Sequence, residues 1–193
     1  MRRFCTVLVT AALVLTACGT GAEESDGSAS RVPTTAVTTT AMPAPGSSAT
    51  VSEPTATVPA LLKFTGTTLR GAAFDGAGLA GRPVVFWFWA PWCPKCQAEG
   101  PAVAKTAEKY GDKVQFVGIA GLDKSKEQMD RFVARTGTAG IVQLDDRTGA
   151  LYKHFKVTSQ SSYLFISPSG STESATGPLD EGELAELIDQ HTT

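Results

Sequence analysis

The sequence predicts an α/β domain over residues 60–193, built as a mixed β-sheet flanked by helices. Short apolar stretches bounded by turn residues alternate with stretches of helical spacing, which is typical of a parallel sheet covered by helices. Near the end of the chain, the strand candidates 162–167 and 171–177 are joined through "PSG", which indicates an antiparallel hairpin. A sheet that combines both arrangements is mixed.

The first elements place a buried strand directly before a long helix. Residues 61–82 are expected to form a small N-terminal hairpin or edge strands. The stretch "PVVFWFWA", residues 83–90, is apolar and aromatic almost without interruption, as in a strand buried on both faces. The helix that follows starts at "CPKC" and contains Pro101, which predicts a kink.

Two later helices carry sequence signals at their N-termini. Ser125 with Gln128, and Asp180 with Glu183, have the spacing of a capping box, in which each side chain binds the other residue's backbone N–H. Gly137 is expected to end the first of these helices. The remaining elements are predicted as strands at 114–121 and 140–146 and as helices at 125–137, 148–155 and 180–191.

The N-terminus has the features of a bacterial secretion signal. Arg2 and Arg3 precede the apolar run "FCTVLVTAALVL", which is too short to span a bilayer as a stable helix. A buried core helix is the alternative, but no polar residues alternate with the apolar ones. "LTAC" is similar to the bacterial lipoprotein signal, which implies removal of residues 1–17 and acylation of Cys18.

Residues 18–59 are predicted to be a flexible tether. They are rich in Ser, Thr, Ala, Gly and Pro and contain no aromatic residue, so they cannot bury enough apolar surface to offset their chain entropy. The Thr and Ser clusters also fit a glycosylated stalk. We therefore expect the domain to lie outside the cytoplasm, held at the cell membrane by the lipid on Cys18.

The net charge excludes one class of partner. The formal net charge is -2, and the loss of Arg2 and Arg3 with the signal lowers it to -4. A mildly acidic protein lacks the basic surface that binds nucleic acid.

Only two of the four cysteines are expected to remain as thiols in the exported domain. Cys5 leaves with the signal and Cys18 is acylated, so Cys93 and Cys96 remain in a disulfide-permissive compartment. A closed zinc site needs about four ligands, and the domain offers only His154 and His191 in addition, so no metal site is predicted. A purely structural disulfide would close a very short loop and contribute little through loop entropy.

The position of the pair favours redox chemistry. Cys93 lies at a strand-to-helix turn, where unpaired N–H groups and the helix dipole favour a thiolate over a thiol. Cys96, one turn further into the helix, is expected to be more buried and placed to attack a mixed disulfide at Cys93. Lys95 adds a screened positive charge. The predicted redox group is the Cys93–Cys96 disulfide, with no other cofactor.

At these residues the chain resembles a known family. "FWAPWCPKC" is similar to the active-site strand and turn of the thioredoxin fold, and the order of elements matches as well. "FWAPWC", Glu99 and "VQFVGIAGLD" resemble the TlpA/ResA/DsbE branch, especially the DsbE/DsbF-type lipoproteins of mycobacteria and related actinobacteria. The resemblance implies a thioredoxin-like fold with an inserted strand–helix element and a thiol–disulfide oxidoreductase activity.

The resemblance also assigns roles to individual residues. Cys93 matches the nucleophile and Cys96 the resolving cysteine. Glu99 matches a glutamate that accepts the proton of Cys96, and a solvated helix charge is the alternative interpretation. Trp92 matches a surface tryptophan that shields the disulfide, and a plain hydrophobic patch fits it equally. The surroundings of the site are thus expected to include Trp92, Pro94, Lys95 and Ser161.

The chain departs from the family pattern at two positions. Cytoplasmic thioredoxins carry a buried acid six residues before the first cysteine, where this chain has Trp87. The family's cis-proline before the next strand is replaced by Ser161, so the peptide bond there is either trans or a strained cis bond. The Ser161 hydroxyl is a candidate hydrogen-bond donor to the Cys93 thiolate.

The leading functional hypothesis is a membrane-anchored thiol–disulfide oxidoreductase that acts on thiols or disulfides of exported proteins and exchanges electrons with a membrane redox partner. The DsbE/DsbF resemblance favours oxidation of exported proteins, whereas the wider branch allows reduction of apocytochrome c cysteines. A non-catalytic module that binds metal or a client protein is the alternative from another class. A peroxidase fits less well, because a pair within one helical turn suits disulfide exchange.

Overall fold

The computed structural model describes residues 57–192, so the predicted signal sequence, Cys18 and the tether up to residue 56 lie outside the described residues. The strands are β1 (Thr65–Thr67), β2 (Ala73–Asp75), β3 (Val84–Trp89), β4 (Gln115–Gly121), β5 (Val142–Asp146), β6 (Ser162–Ile166) and β7 (Thr172–Thr176). The helices are α1 (Pro94–Tyr110), α2 (Lys126–Thr136), α3 (Ala150–His154) and α4 (Glu181–His191). Over residues 57–192, no helix combines the length and the apolar character required to cross a bilayer.

The main sheet has five strands in the order β5-β4-β3-β6-β7. β3, β4 and β5 run parallel to one another, whereas β6 and β7 are antiparallel to their neighbours. The mixed sheet and the C-terminal hairpin are therefore confirmed. β1 and β2 pair as a separate antiparallel hairpin, as predicted for residues 61–82. This arrangement is the thioredoxin-like α/β fold.

The central strand β3 divides the core into two layers. All six of its residues are fully buried, because β4 and β6 pair with both of its edges and helices or the N-terminal segment cover both faces. Alternate side chains of a strand point to opposite faces. Val85, Trp87 and Trp89 pack with α1, α2 and α4, whereas Val84, Phe86 and Phe88 pack with α3 and the N-terminal segment.

The two predicted capping boxes have different outcomes. At α4, the Asp180 carboxylate accepts from the Glu183 N–H and the Glu183 carboxylate accepts from the Asp180 N–H, each at 2.9 Å, so this box is confirmed. At α2, the Ser125 hydroxyl accepts from the Gln128 N–H at 3.2 Å, but the Ser125 N–H donates to Asp123 at 2.6 Å. The second half of that prediction was wrong, because a nearer carboxylate takes the donor.

Candidate active site

The two cysteines lie on the turn that joins the central strand to α1. Cys93 is the N-cap residue of α1, and its Sγ accepts a hydrogen bond from the Cys96 N–H at 3.3 Å. Both side chains are free thiols. Cys96 is completely buried and Cys93 is 4% exposed, whereas Pro94 and Lys95 between them are exposed. An incoming sulfur atom therefore reaches Cys93 before Cys96.

Burial sets the protonation of Cys96. Loss of solvent around the thiol raises its pKa, and the hydrogen bond with Cys93 and the negative charges of Cys93 and Glu99 act in the same direction. A backbone contact with Ala90 opposes them only in part. Cys96 is thus a neutral thiol in the reduced protein, and it must lose a proton before it can attack a disulfide.

The raised pKa of Cys96 predicts how stability depends on pH. Above pH 9.0, the ordinary value, the unfolded chain releases this proton while the folded protein retains it. The contribution of Cys96 is complete below that pH, and above it the free energy of unfolding of the reduced protein should fall by about 1.4 kcal/mol per pH unit. Burial raises the pKa of Tyr152 and Tyr163 as well, so both add losses of the same sign at higher pH.

Urea unfolding of the reduced protein and of Cys96→Ala at about pH 8, 9 and 10 separates these contributions. The variant should decline less steeply between pH 9 and 10, because both tyrosines remain in it. Equal slopes for the two proteins would show that Cys96 has its ordinary pKa in the folded state.

Glu99 is a buried acid on the same face of α1 as Cys96. Its side chain is 2% exposed, so the interpretation as a solvated helix charge was wrong. The carboxylate accepts hydrogen bonds from the Trp87 indole at 2.7 Å, from the Ser161 hydroxyl and from the Leu179 N–H at 3.2 Å. Three donors compensate for the burial of a charged group.

Trp87, which stands where a buried acid was missing from the sequence, is a hydrogen-bond partner of Glu99. It occupies the β3 position at which cytoplasmic thioredoxins carry a buried acid, and its indole N–H points to the carboxylate of Glu99. The buried carboxylate is thus supplied by α1 instead of β3. The sequence showed the substitution at Trp87, but it contained no signal for the contacts from Ser161 or Leu179.

Ser161 lies beside the acid and not beside the thiolate. The residue is completely buried, and the Gln160–Ser161 peptide bond is cis. Its hydroxyl donates to Glu99, so the predicted hydrogen bond from Ser161 to the Cys93 thiolate was wrong. The Gly177–Pro178 bond is also cis.

The loop before α4 closes over the contact between Ser161 and Glu99. The Gly177 N–H donates to the Ser161 carbonyl at 3.1 Å. A Cβ atom at position 177 would overlap both the Ser161 hydroxyl and the Glu99 carboxylate. Only glycine therefore allows the loop to approach so closely.

Two tyrosines complete the buried surroundings. Tyr152 donates its hydroxyl to the Trp89 carbonyl at 3.2 Å and interacts electrostatically with both cysteines. The Tyr163 hydroxyl is buried and completes no hydrogen bond within residues 57–192, although its side chain interacts with Glu99 and Ser161. Neither tyrosine belongs to a recognisable motif of the sequence.

An apolar surface lies at the rim of the site. Trp92 is 51% exposed and its indole N–H donates to the Leu122 carbonyl at 3.0 Å. Leu122 is itself 45% exposed and has a left-handed backbone, with φ of 56°. The position of Trp92 fits both of its interpretations, as a shield of the cysteines and as a hydrophobic patch, and Leu122 extends that patch.

Nowhere between residues 57 and 192 do three His, Cys, Asp or Glu side chains come together as ligands for an ion. His154, one of the two histidines, contacts the Leu61 carbonyl through Nε2 at 2.9 Å.

Comparisons with known proteins agree with this geometry. The family profile named Redoxin matches residues 40–171. The soluble secreted antigen MPT53 of Mycobacterium tuberculosis is 38% identical over 117 residues, which are 61% of this chain and 66% of that protein, just under two thirds of its length. The thiol-disulfide oxidoreductase ResA of Oceanobacillus iheyensis is 28% identical over 95 residues, which are 49% of each chain.

Two solved structures are similar over about two thirds of the chain. The MTB dsbF structure has a TM-score of 0.66 at 41% identity and covers 69% of this chain and 98% of its own. A secreted Mycobacterium tuberculosis disulfide oxidoreductase, described as homologous to E. coli DsbE, has a TM-score of 0.64 at 35% identity and covers 67% of this chain and 97% of its own. These matches confirm the resemblance to the ResA and DsbE/DsbF type.

Proposed function

Since the chain belongs to the redoxin family, we propose that it is an extracytoplasmic thiol–disulfide oxidoreductase that uses the Cys93–Cys96 pair to oxidise thiols of exported proteins. The observation that carries the proposal is the position of Cys93 at the N-cap of α1, with the buried thiol of Cys96 one turn behind it. No cofactor other than this disulfide is required.

The reaction begins with the disulfide form. A substrate thiolate attacks the Sγ of Cys93, the Cys93–Cys96 bond breaks, and Cys96 leaves as a thiolate that takes up a proton. A second substrate thiolate then attacks the substrate sulfur of the mixed disulfide, and Cys93 leaves as a thiolate. The substrate has lost two electrons and gained a disulfide, and the protein has gained the two electrons. A membrane redox partner must accept them to restore the Cys93–Cys96 bond.

Glu99 acts as the general acid and base for the Cys96 thiol. The thiol of Cys96 is buried and neutral, so its proton must arrive or leave through a group inside the domain. Glu99 lies three residues along the same helix face, and its charge acts on the Cys96 thiol. It gives a proton to Cys96 when Cys96 is the leaving group, and it takes the proton when Cys96 attacks.

The proposed location rests on relatives and on the N-terminal sequence. MPT53 is a soluble secreted antigen, and the Mycobacterium tuberculosis disulfide oxidoreductase is likewise a secreted protein. The run after Arg2 and Arg3 fits export, and "LTAC" fits acylation of Cys18. Lipid on Cys18 would hold the domain at the outer face of the cell membrane.

The reduction potential of the pair tests the proposal. The purified protein is equilibrated in glutathione buffers of graded potential, and the Cys93–Cys96 disulfide is followed by thiol trapping. We expect a value clearly above about −270 mV, the potential of thioredoxin, because an oxidant must hold its electrons more tightly than its substrates.

Two results would contradict this expectation in different ways. A value near or below about −270 mV would favour the reductant of apocytochrome c cysteines over the oxidase. A pair that never cycles between the two forms would overturn the oxidoreductase activity and favour a non-catalytic binding module.

A further inference from the structure

We propose that Ser161 is a positioning residue that holds Glu99 for proton exchange with Cys96 and stabilises Glu99 in both of its protonation states. This inference rests on the thiol–disulfide exchange proposed above. It assigns a function to the residue that replaces the family's cis-proline.

The hydrogen-bond partners of Glu99 differ in whether they can accept a hydrogen bond as well as donate one. The Trp87 indole and the Leu179 backbone offer N–H groups, which are donors only. Both stabilise a carboxylate, and neither can accept a hydrogen bond from a protonated Glu99. The Ser161 hydroxyl is a donor and also an acceptor. Of these three partners, Ser161 alone fits the acid form as well as the carboxylate.

The Ser161 hydroxyl has a second possible hydrogen-bond acceptor besides Glu99. When Glu99 is protonated and donates to Ser161, the serine hydrogen must turn to another acceptor. The Tyr163 hydroxyl is buried beside the pair without a completed hydrogen bond and has a free lone pair. A rotation of the Ser161 hydroxyl from Glu99 to Tyr163 therefore accompanies protonation, with no movement of the backbone.

The loop at Gly177 keeps this hydroxyl in place. The Gly177 N–H binds the Ser161 carbonyl, and the missing side chain at position 177 leaves no space between the loop and the contact of Ser161 with Glu99. The serine side chain is fully buried in this space. A proline at position 161 has no hydroxyl and would remove the only acceptor among these three partners.

The proton transfer balances without any other reactant. The Cys96 thiol and the Glu99 carboxylate become a thiolate and a carboxylic acid, and no electrons move in this step. The thiolate then attacks Cys93 in a mixed disulfide and releases the other thiolate. The titratable groups that face this centre are Cys93 and Cys96 at the start of α1 and Tyr163 from β6. Tyr152 of α3 interacts with both cysteines and also with Asp146 at the end of β5.

The test is the pH profile of the Cys96 step. Reduced protein is mixed with oxidised glutathione at concentrations where the oxidation rate no longer rises, so that resolution by Cys96 limits it. Ser161→Ala leaves the carboxylate with two donors but removes the only acceptor among the three partners, so it disfavours the acid form and makes Glu99 a weaker base. The rate at neutral pH should fall about tenfold, and the acidic limb of the profile should move down by about one pH unit. Tyr163→Phe should give a smaller shift of the same sign.

Ser162→Ala is the matched control, because the Ser162 hydroxyl donates to the Ser159 carbonyl at the surface and should leave the profile unchanged. If Ser161→Ala folds and its profile superimposes on that of the unmodified protein, the inference is overturned. If Ser161→Ala does not fold, an unshifted profile of Tyr163→Phe overturns it. Failure of the unmodified protein to react with glutathione would instead overturn the proposed function, so the two failures are distinguishable.

Discussion

Replacement of Cys93 by alanine is expected to abolish thiol–disulfide exchange, with a loss of more than about a thousandfold in rate. Cys93 is the cysteine that an external sulfur can reach, and Cys96 is fully buried behind it. Replacement of Cys96 by alanine should leave the first step intact and remove the second. Client proteins that carry a disulfide should then remain covalently attached to Cys93, because no internal thiol resolves the mixed disulfide.

Non-reducing electrophoresis and mass spectrometry of the protein after incubation with a disulfide-bonded client detect the attached species. Cys18→Ser is the matched control, since it removes a cysteine outside the redox pair and should neither trap clients nor lose activity. An adduct that persists in Cys93→Ala and is missing in Cys96→Ala would reverse the assignment of nucleophile and resolving cysteine.

Replacement of Glu99 by glutamine is expected to slow the Cys96 step by about a hundredfold, because the amide cannot take the proton of the buried thiol. It should also lower the free energy of unfolding by about 1–3 kcal/mol. The amide oxygen can still accept from Trp87 and Ser161, but the amide NH₂ then faces the Leu179 N–H, so two donors oppose each other.

Stopped-flow oxidation by glutathione disulfide measures the rate, and urea unfolding measures the stability. Glu108→Gln, an exposed position on the same helix, provides the control for removal of one negative charge from α1. A Glu99→Gln variant with reduced stability and an unchanged rate would show that Glu99 only supports the structure. An unchanged stability would contradict the three hydrogen bonds of the carboxylate.

The local sequence was sufficient to predict the central strand and the position of the redox pair. The run Val84–Trp89 is short and consists of β-branched and aromatic residues, a composition typical of a strand buried on both faces. The turn that follows places Cys93 at the start of a helix, a result that depends on neighbours in the chain alone.

The buried surroundings of the pair depend on contacts between distant parts of the chain. Ser161 meets Glu99 because β6 pairs antiparallel to β3, and Leu179 meets it because the loop before α4 folds back over α1. No local sequence pattern predicts contacts between residues so far apart in the chain. Local patterns also fail when two of them compete, as at Ser125, where Asp123 takes the backbone donor that Gln128 was expected to bind.

The composition of β3 has a further effect during biosynthesis. Val84–Trp89 is an uncharged run of strong β-formers, and such six-residue segments promote intermolecular cross-β aggregation while they are exposed. Pro83 precedes it and Pro91 follows shortly after it, in the arrangement of gatekeeper residues that interrupt stacking. One edge of β3 is covered only when β6, which ends at Ile166, has been synthesised and paired. A chain truncated before β6 would therefore expose the edge of an aggregation-prone segment, so the C-terminal hairpin protects the strand that leads into the redox site.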